Sequence, residues 1–311
     1  MIKKRPLVSL VLISYNQTAY IEQAINSVLG QTYQEPLEII LSDDCSSDNT
    51  FDIIKRVVSD YEGPHKIILN KNEINLGLIG HVNKAFEMVN GEIVVFAAGD
   101  DIMLPNRVTD IAEIFRSKDK VTTVSMDFQC INESGDLIET RNPYKEGFFS
   151  LKNYMDNKRM PLNGCTRAYH KDVFCKFGPL SLDCGVEDAT LIFRALLLGE
   201  SYHTKKLGAK YRKLNNSLSN NISFEHMEGK INQRIKDSKS ALEMNITNVE
   251  IVNYLESNKQ ITFEKHIIIK DHTSLDYSLF YFIKNVLFNM DFKLFEKVNM
   301  FKSSIKSKLK K

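Results

Sequence analysis

The sequence predicts an α/β fold with a mostly parallel sheet flanked by helices, followed by a helical C-terminal extension. Up to about residue 222, short apolar segments rich in β-branched residues alternate with amphipathic segments of helical period. All fourteen glycines lie at or before Gly229, and all seven prolines lie at or before Pro179. The rest of the chain therefore lacks the two residue types that most often end helices. We predict one domain over residues 1–222 and a helical extension over residues 223–311.

The composition limits the class of protein. Hydrophobic residues make up 43% and charged residues 26%, which is usual for a globular chain, and the net charge of +2 gives no indication of nucleic acid as a partner. The five cysteines include no Cys-x-x-Cys pair, which favours reduced thiols over a disulfide framework or a zinc site. The N-terminal segment has neither a signal-peptide cleavage site nor the length of a spanning helix. We expect a cytoplasmic protein.

Four strand–helix units are predicted in the first half of the chain. Short connections between a strand and the next helix are typical of parallel strands joined by right-handed crossovers. The predicted strands are Leu7–Ile13, Leu37–Leu41, Lys66–Leu69 and Ile93–Ala98, and the helices after them begin near Ile21, Asn49, Ile79 and Pro105.

Polar side chains follow three of these strands, at the point where each strand ends. They form the clusters Ser14-Tyr15-Asn16, Asp43-Asp44 and Asp100-Asp101. A single acidic turn before a helix is common and needs no function, and Pro105 suits the first turn of such a helix. Open α/β sheets, however, bind ligands at the carboxyl ends of their strands. Three clusters at one edge therefore predict a binding site.

The second half of the chain adds weaker signals. Val121–Met126 is a predicted strand, and Tyr144–Asn153 is a predicted loop that enters a short helix. Glu187 and Asp188 stand at the start of a helix, where the simplest role of an acid is to interact with the helix dipole.

The C-terminal extension is predicted to be helical and basic. One or two helices are expected over Phe224–Glu256, and apolar residues recur at helical spacing from Leu279 to Ile305. Lys293–Lys311 holds seven lysines and one acid. Such a segment can lie on an anionic membrane, or its apolar face can pack on the first domain or on a second subunit of a homo-oligomer. The candidate buried residues of the first helices are Met227, Ile231, Ile235, Ala241, Leu242 and Met244.

An ordered set of motifs resembles the family 2 glycosyltransferases. Residues 8–16 (VSLVLISYN) and 38–50 (EIILSDDCSSDNT) are similar to the first two strand signatures of the family, with Cys45 where glycine is usual. Asn75-Leu-Gly77 and Gly91-Glu92 follow in the expected order, and residues 98–105 (AGDDIMLP) resemble the Asp-x-Asp-Asp motif. The match covers roughly residues 6–213 and implies the GT-A fold, which has a Rossmann-like sheet.

The resemblance implies roles at the edge of the sheet. Tyr15 would lie against the nucleotide base, Asn16 would fix the turn around it, and Asp44 would accept a hydrogen bond from a uracil-type N–H. Asp100 would bind Mn²⁺ or Mg²⁺ on the diphosphate of the donor. The remaining residues implied at the donor are Ser14, Asp43, Asn75, Gly99 and Asp101.

The resemblance also implies an acceptor side. Asp188 matches the position of the catalytic base, and Glu187 would orient its loop or meet an acceptor hydroxyl. Gly164 lies in the segment expected under the donor sugar. Lys206–Lys213 resembles the last strand of the catalytic domain, and Arg212 in it would lie near the acceptor or the diphosphate. Two expected metal ligands are missing, because Ala98 stands where the family has aspartate and Leu214 stands where it has histidine.

The function implied is that of an inverting glycosyltransferase in bacterial surface polysaccharide synthesis. It would move a sugar from a nucleotide-diphosphate donor, with UDP expected, to a glycan or lipid-linked acceptor. The alternative is a non-catalytic relative that binds sugar nucleotides or glycans. A nucleotidyltransferase is disfavoured, because no glycine-rich phosphate loop follows the first strand. The sequence does not fix the sugar or the acceptor.

Overall fold

A central sheet organises the protein. The computed structural model describes residues 6–141, 143–156, 158–161, 163–214 and 224–257. Within these residues the sheet has ten strands in the order β3-β2-β1-β4-β9-β6-β10-β5, with β7 paired to β6 and β8 paired to β10. The strands are β1 (Val8–Ser14), β2 (Glu38–Asp43), β3 (Lys66–Lys71), β4 (Ile93–Ala98), β5 (Ile102–Met103), β6 (Val121–Ile131), β7 (Leu137–Arg141), β8 (Gly147–Phe149), β9 (Ala168–His170) and β10 (Glu200–Arg212).

Helices lie between these strands and follow the last of them. They are α1 (Ile21–Leu29), α2 (Thr50–Ser59), α3 (Gly77–Glu87), α4 (Arg107–Ser117), α5 (Leu151–Met155), α6 (Asp172–Cys175), α7 (Glu187–Leu198), α8 (Phe224–Glu243) and α9 (residues 249–257), with a 3₁₀ turn at Leu182–Cys184. No helix within the described ranges combines the length and apolar character needed to cross a bilayer.

The first half of the sheet is parallel, as the alternation predicts. Strand β1 pairs in parallel with β2 on one side and with β4 on the other. In this register Ser14 is opposite Asp43 and Ile13 is opposite Ala98, so the three strands end side by side. The predicted clusters therefore share one edge of the sheet.

The second half of the sheet is mixed. The long β6–β10 ladder is parallel, whereas β5, β7, β8 and β9 all pair antiparallel. Three of these four strands have only two or three residues. A segment of that length is too short to show the alternation by which strands are recognised in a sequence.

Both faces of the sheet are covered by helices. Leu10 and Leu12 point into a cluster that contains apolar residues of α1, α2 and α4, and Val11 between them points into a cluster with Ala85 of α3. Because both faces are buried, the strands are almost continuously apolar.

Helices α7, α8 and α9 form a second packed region. Phe193 and Leu197 of α7 contact Ala241 of α8 and Leu255 of α9 in one buried cluster. Helices in 224–257 are thus confirmed, and Ala241 is buried as predicted, but Met244 is 37% exposed and its predicted burial is wrong. It follows the last turn of α8 and points away from the cluster.

Residues Met1–Glu256 belong to one compact unit. The domain boundary at residue 222 stays a prediction. The side chain of Met227 and the apolar and basic segments of residues 258–311 lie outside the described residues.

Candidate active site

Asp43 holds together the ends of the first two strands. Its carboxylate is fully buried and accepts hydrogen bonds from Ser46 N at 2.8 Å and Ser46 Oγ at 2.5 Å. Ser14 Oγ donates to it across the strand pair at 3.5 Å. Buried carboxylates must be satisfied in this way, because an unpaired one costs several kcal/mol. Asp43 and Ser14 thus support the loop after β2.

Tyr15 and Asn16 form the turn after β1. Asn16 has a left-handed φ of 52°, a conformation that asparagine tolerates better than most residues. Its N–H donates to Ser46 Oγ and its Oδ1 accepts from Ser47 N, both at 2.9 Å. Tyr15 is 46% exposed beside this fixed turn. Its ring is therefore available to stack on a planar ligand.

Cys45 also has a left-handed φ, of 59°. This conformation explains why glycine is usual at this position of the motif, since glycine adopts it without strain.

Asp44 is held by one of its two carboxylate oxygens. Oδ1 accepts from Asn72 Nδ2 at 2.7 Å and from Leu76 N at 2.9 Å, while no described residue donates a hydrogen bond to Oδ2. The side chain is buried but keeps one oxygen for a ligand N–H. Sequence reasoning missed Asn72, although it follows β3 as the aspartates follow β2.

Asn75 shapes the approach to α3. Its Oδ1 accepts from Gly77 N at 2.8 Å, and Gly77 has a φ of 68°. The next residue, Leu76, bonds Asp44, so the backbone connects this turn to the carboxyl ends of β1, β2 and β4, where the donor is predicted to bind (the donor edge). The exposed Asn75 amide group remains accessible.

Gly99 brings the end of β4 against β1. Its N–H donates to Ile13 O at 3.0 Å, and a Cβ at this position would collide with Gln17 Oε1 and lie 3.0 Å from Ser14 Cβ. Only glycine fits here without displacing its neighbours. This close approach places Asp100 beside the turn after β1.

Asp100 and Asp101 lie in different environments. Asp100 is half-buried; burial raises the pKa of its carboxyl, while the charge of Arg212 and a hydrogen bond from Gln17 oppose this rise. Asp101 is almost fully buried and accepts from Arg212 N at 2.8 Å. Burial and the charge of Asp100 raise the pKa of Asp101 well above its usual range. Asp101 is therefore suited to shaping the turn, and Asp100 to meeting a cation.

Arg212 is 2% exposed and clamps the turn that carries the two aspartates. Its Nε donates to Asp100 O at 2.9 Å, its guanidinium lies 4.6 Å from the centre of the Tyr20 ring, and Nη2 donates to Gln23 Oε1 at 2.9 Å. Nη1 donates to the carbonyl groups of Asn132 and Glu133. With Nε and both terminal nitrogens bonded within the protein, Arg212 is placed to hold the site in shape.

The donor edge offers oxygen ligands for a divalent cation. Asp100 forms no ion pair with a described residue, and Gln17 Oε1 is buried without a hydrogen-bond partner among them. No group of three acidic, histidine or cysteine side chains in the described part of the chain could hold a metal alone. Mg²⁺ often takes one or two carboxylates and keeps water and phosphate oxygens as its other ligands. The residues present fit such an ion.

Glu187 and Asp188 begin α7, beside the turn at residues 163–165. Asp188 accepts from Ala189 N at 2.5 Å, and a Cβ at Gly164 would lie 3.2 Å from Asp188 Oδ2. Burial and the charge of Asp188 raise the pKa of Glu187 to about 7. Burial also raises the pKa of Asp188, opposed by the Ala189 N–H and the charges of Arg167, Lys230 and Arg234. Glu187 is therefore protonated below about pH 7, and the pKa of Asp188 lies above its usual range.

The turn at residues 163–165 connects these two groups. Gly164 lies next to Asp188, and burial, together with the charge of Asp101, raises the pKa of the Cys165 thiol. Arg167 O accepts from Phe96 N of β4 at 3.1 Å, which fixes this segment to the strand that ends at Asp100. The structure thus brings the predicted site residues together in two groups, and the turn at residues 163–165 lies between the groups. The first group contains the donor-edge residues Ser14, Asn16, Asp43, Asp44, Gly99, Asp100 and Asp101, and the second contains Gly164, Glu187 and Asp188. Arg212, which was predicted with the second group, lies with the first, because it bonds Asp100 O and Asp101.

Sequence reasoning missed the cations around Asp188. Arg167 is 1% exposed and donates to Asn163 O, Pro161 O and Ser201 Oγ. Lys230 and Arg234 come from α8, more than forty residues further along the chain. No local pattern relates these three residues to Asp188.

Comparison with solved structures shows the fold. The S. aureus TarS fragment 1–349 in complex with UDP-GlcNAc matches with a TM-score of 0.62 at 18% identity, covering 94% of this chain and 77% of that one. The mannosyltransferase PcManGT from Pyrobaculum calidifontis, in complex with GDP-Man and Mn²⁺, matches with a TM-score of 0.51 at 16% identity, covering 84% and 81%. The predicted GT-A type of α/β fold is confirmed.

Comparison with curated sequences gives related bacterial proteins. An uncharacterized glycosyltransferase of Haemophilus influenzae is 27% identical over 93% of this chain and 94% of its own length. An uncharacterized glycosyltransferase of Nostoc is 35% identical, but the match spans 37% of this chain and 34% of that protein. The E. coli protein WfaP, named a UDP-Glc:α-D-GlcNAc-diphosphoundecaprenol β-1,3-glucosyltransferase, is 33% identical over 33% of this chain and 39% of its own.

The family model described as glycosyl transferase family 2 matches residues 9–178, which is more than half of the chain and contains both aspartate clusters of the donor edge. The chain therefore belongs to glycosyl transferase family 2.

Proposed function

We propose that the protein is an inverting glycosyltransferase that moves a sugar from a UDP-sugar to a hydroxyl of a lipid-linked or surface glycan. The observation that carries this proposal is the separation of two carboxylate groups by a short turn. Asp100 lies at the donor edge, and Asp188 lies against Gly164 on the other side. A transferase needs both, one acid near the leaving diphosphate and one near the attacking hydroxyl.

The donor would be held by the edge of the sheet. Tyr15 stacks on the base, and Asp44 Oδ2 accepts the N–H of uracil while Oδ1 stays bonded to Asn72. The fixed turns at Asn16 and Gly99 orient the diphosphate. Mg²⁺ or Mn²⁺ held by Asp100, with Gln17 Oε1 nearby, would neutralise negative charge on the leaving phosphate.

The transfer step would depend on Asp188. As the acceptor oxygen attacks the anomeric carbon, its proton passes to the Asp188 carboxylate, and the bond between that carbon and the diphosphate oxygen breaks. Attack on the face opposite the leaving group inverts the anomeric configuration. General-base assistance of this kind contributes about 10²–10⁴-fold, and fixed positions of the two substrates supply much of the remainder.

Relatives support the choice of substrates. The TarS structure contains UDP-GlcNAc, the name of WfaP specifies UDP-Glc and a diphosphoundecaprenol-linked acceptor, and a Campylobacter jejuni relative is named for a similar lipid-linked acceptor. We propose a UDP donor and an acceptor of this class, used on the cytoplasmic face of the membrane. The basic residues of Lys293–Lys311 would hold the protein there.

A non-catalytic sugar-nucleotide or glycan-binding role is the alternative. It is favoured by Ala98 and Leu214, which replace two expected metal ligands. It gives no reason for the Glu187–Asp188 pair, because binding alone does not require a base.

Replacing single carboxylates distinguishes the transferase from a non-catalytic binding protein. We expect Asp188→Asn to keep UDP affinity and to lose about 10²–10⁴-fold in transfer, because the amide cannot take a proton. Asp100→Asn should weaken metal-dependent donor binding. UDP release from a panel of UDP-sugars, with Mn²⁺ or Mg²⁺, measures the first effect, and calorimetric titration with UDP measures the second. Glu113→Gln, an exposed change on α4, is the matched control. Equal turnover by wild type and Asp188→Asn would remove the base assignment.

A further inference from the structure

Helix α8 presents two cationic side chains beside Glu187 and Asp188. Arg234 donates from Nη2 to Ala189 O at 3.1 Å, and its guanidinium lies 5.2 Å from the Tyr154 ring centre and 5.8 Å from that of Phe193. Lys230, one helical turn earlier, is half-buried. Its charge acts on Asp188, as does that of Arg234.

The position of α8 is fixed by close contacts with the elements before α7. A Cβ at Gly229 would collide with the carbonyl group of Asp183, so the helix backbone lies directly on the 3₁₀ turn. Gln233 Oε1 accepts from Ser181 N at 2.8 Å. Lys230 and Arg234 therefore stand on a rigid element, which is a requirement for a precise binding site.

Lys230 and Arg234 form no ion pair within the described residues, although the charge of Asp188 acts on both. Neither residue has a carboxylate within ion-pair distance among the described residues, and Arg234 Nε is buried without a hydrogen-bond partner there. Asp237, an acid one turn after Arg234 on the same helix, accepts a 2.8 Å bond from Arg194 Nε and a bond from the amide of Gln233. A buried cationic group without a contacting partner is costly and rare, so the Nε of Arg234 is available to a ligand.

We propose that Lys230 and Arg234 form a phosphate-binding subsite for the acceptor. This inference rests on the proposed function, because it assigns the ligand next to the base Asp188. The acceptor hydroxyl at Asp188 would then belong to a sugar that is linked to a phosphate group. Lysine binds phosphate as a point charge, and the two aromatic rings beside Arg234 hold its guanidinium plane in one orientation.

The phosphate could come from two sources. A glycan linked to a lipid by a diphosphate places phosphate on the anomeric oxygen of the acceptor sugar, and a phosphodiester polymer places it between acceptor units. Both supply an anionic phosphate group close to the acceptor hydroxyl. The subsite would discriminate against neutral glycans of the same structure.

Three probes separate these possibilities. They are α-GlcNAc diphosphate with a phenoxyundecyl chain, the methyl phosphodiester of α-GlcNAc, and methyl α-GlcNAc, which has no phosphate. Each is titrated calorimetrically into the full chain with saturating UDP and Mg²⁺, so that the donor site is already filled. Lys236→Met, an exposed lysine on the same helix, is the matched control for Lys230→Met.

We expect wild type and Lys236→Met to bind the phosphorylated probes about 10–100-fold more tightly than methyl α-GlcNAc. Close charge pairs at protein interfaces contribute free energies that correspond to such a factor. Lys230→Met and Arg234→Gln should lose most of this preference, and Lys230→Arg should keep most of it. UDP affinity and the unfolding midpoint of Lys230→Met should match those of wild type. Tighter binding of the diphosphate than of the diester identifies the lipid-linked source, and the reverse identifies the polymer.

Two results would overturn the subsite. One is a wild type that does not distinguish phosphorylated from neutral probes, and the other is a Lys230→Met variant that keeps the full preference. Failure of the proposed function has a different signature, namely no saturable UDP binding by wild type. The probe preference is measured without UDP in that case and still decides the subsite.

Discussion

The titration of Glu187 and Asp188 sets the acid limit of activity. A base must be ionised to accept a proton, and burial together with the charge of Asp188 raises the pKa of Glu187 to about 7. We expect the turnover number to rise with pH up to about 7 and then to level off. Glu187→Gln removes one charge, lowers the pKa of Asp188 and moves this rise to lower pH. A pH profile of turnover at saturating substrates measures the shift.

Arg167, Lys230 and Arg234 also face Asp188 and oppose its protonation. Asp183→Asn, an exposed change near the same helix, should leave the pH profile unchanged. An unchanged profile in Glu187→Gln would show that the two acids do not titrate as a pair.

The raised pKa of Glu187 also makes the free energy of unfolding depend on pH. A glutamate that titrates near 4.5 in the unfolded chain and at about 7 in the folded chain keeps its proton longer when folded. The free energy of unfolding therefore falls as pH rises from about 4.5 to about 7, by an amount on the order of 1–3 kcal/mol. Glu187→Gln removes this loss, so it should stabilise the protein at pH 8 but not at pH 4. Urea unfolding at the two pH values tests this, and equal effects at both would contradict it.

Asn72 is expected to position Asp44 for the base of the donor. Asn72→Ala removes the 2.7 Å bond to Oδ1, so that Asp44 can rotate or bind water. Such a loss of orientation should weaken UDP binding by about tenfold, since a hydrogen bond to a charged group contributes about 1.5 kcal/mol or more. Calorimetric titration with UDP measures the effect, with exposed Asn26→Ala on α1 as the control. Affinity for inorganic pyrophosphate should not change, and a parallel loss there would indicate a general defect.

The predictability of site residues depends on how local their signal is. Asp43, Asp44, Asp100 and Asp101 were predictable because each follows an apolar run that ends at the same edge of the sheet. Others owe their position to contacts between distant segments, and nothing near them in the sequence marks it. Examples are Gln17 beside Gly99, Asn72 beside Asp44, and Lys230 beside Asp188.

At the scale of elements, α8 is held by a buried ion pair. Arg194 of α7 and Asp237 of α8 are at most 1% exposed and form two hydrogen bonds, at 2.8 and 3.0 Å. Asp237→Ala leaves the guanidinium of Arg194 buried without its partner, which typically costs about 3–5 kcal/mol. Lys239→Ala breaks an exposed pair with Glu256 and should cost less than about 1 kcal/mol. Urea unfolding of both variants measures the difference, and similar costs would show that α8 is not held by this pair.

The bounds of some strands can be predicted from the sequence more accurately than those of others. Strand β4 has the predicted bounds, Ile93–Ala98, because glycines flank it on both sides and both of its faces are apolar. Strand β6 extends to Ile131, whereas the predicted strand ends at Met126. The prediction stops early because polar Asp127 and Gln129 interrupt the apolar run. Their backbone groups are nevertheless paired with β10, and Asp127 bonds His203 at 3.1 Å. Tertiary pairing overrides the local pattern there.

At the scale of the whole molecule, the chain combines a folded unit with a basic C-terminal sequence. The compact unit ends at Glu256, and its cluster of α7, α8 and α9 is closed by Leu255. Of the residues beyond it, which lie outside the described residues, Lys293–Lys311 carries seven lysines and one glutamate. Each basic residue near an anionic bilayer contributes about 1 kcal/mol, which is lost at high salt.

We therefore expect the C-terminal residues to be needed for membrane binding but not for donor binding. The full chain should float with vesicles that contain 30% phosphatidylserine, to a lesser degree at 0.5 M salt, and not with pure phosphatidylcholine. A shortened chain that ends at Ser257 should stay in the soluble fraction and bind UDP with unchanged affinity, because the donor residues all lie before it. The full chain with Lys306, Lys308 and Lys310 changed to glutamine should lie between the two, since three of seven positive charges are removed. Equal flotation of the full and shortened chains would exclude the C-terminal residues as the membrane contact. Equal flotation of the full chain and the glutamine variant would assign the contact to the apolar residues instead of the lysines.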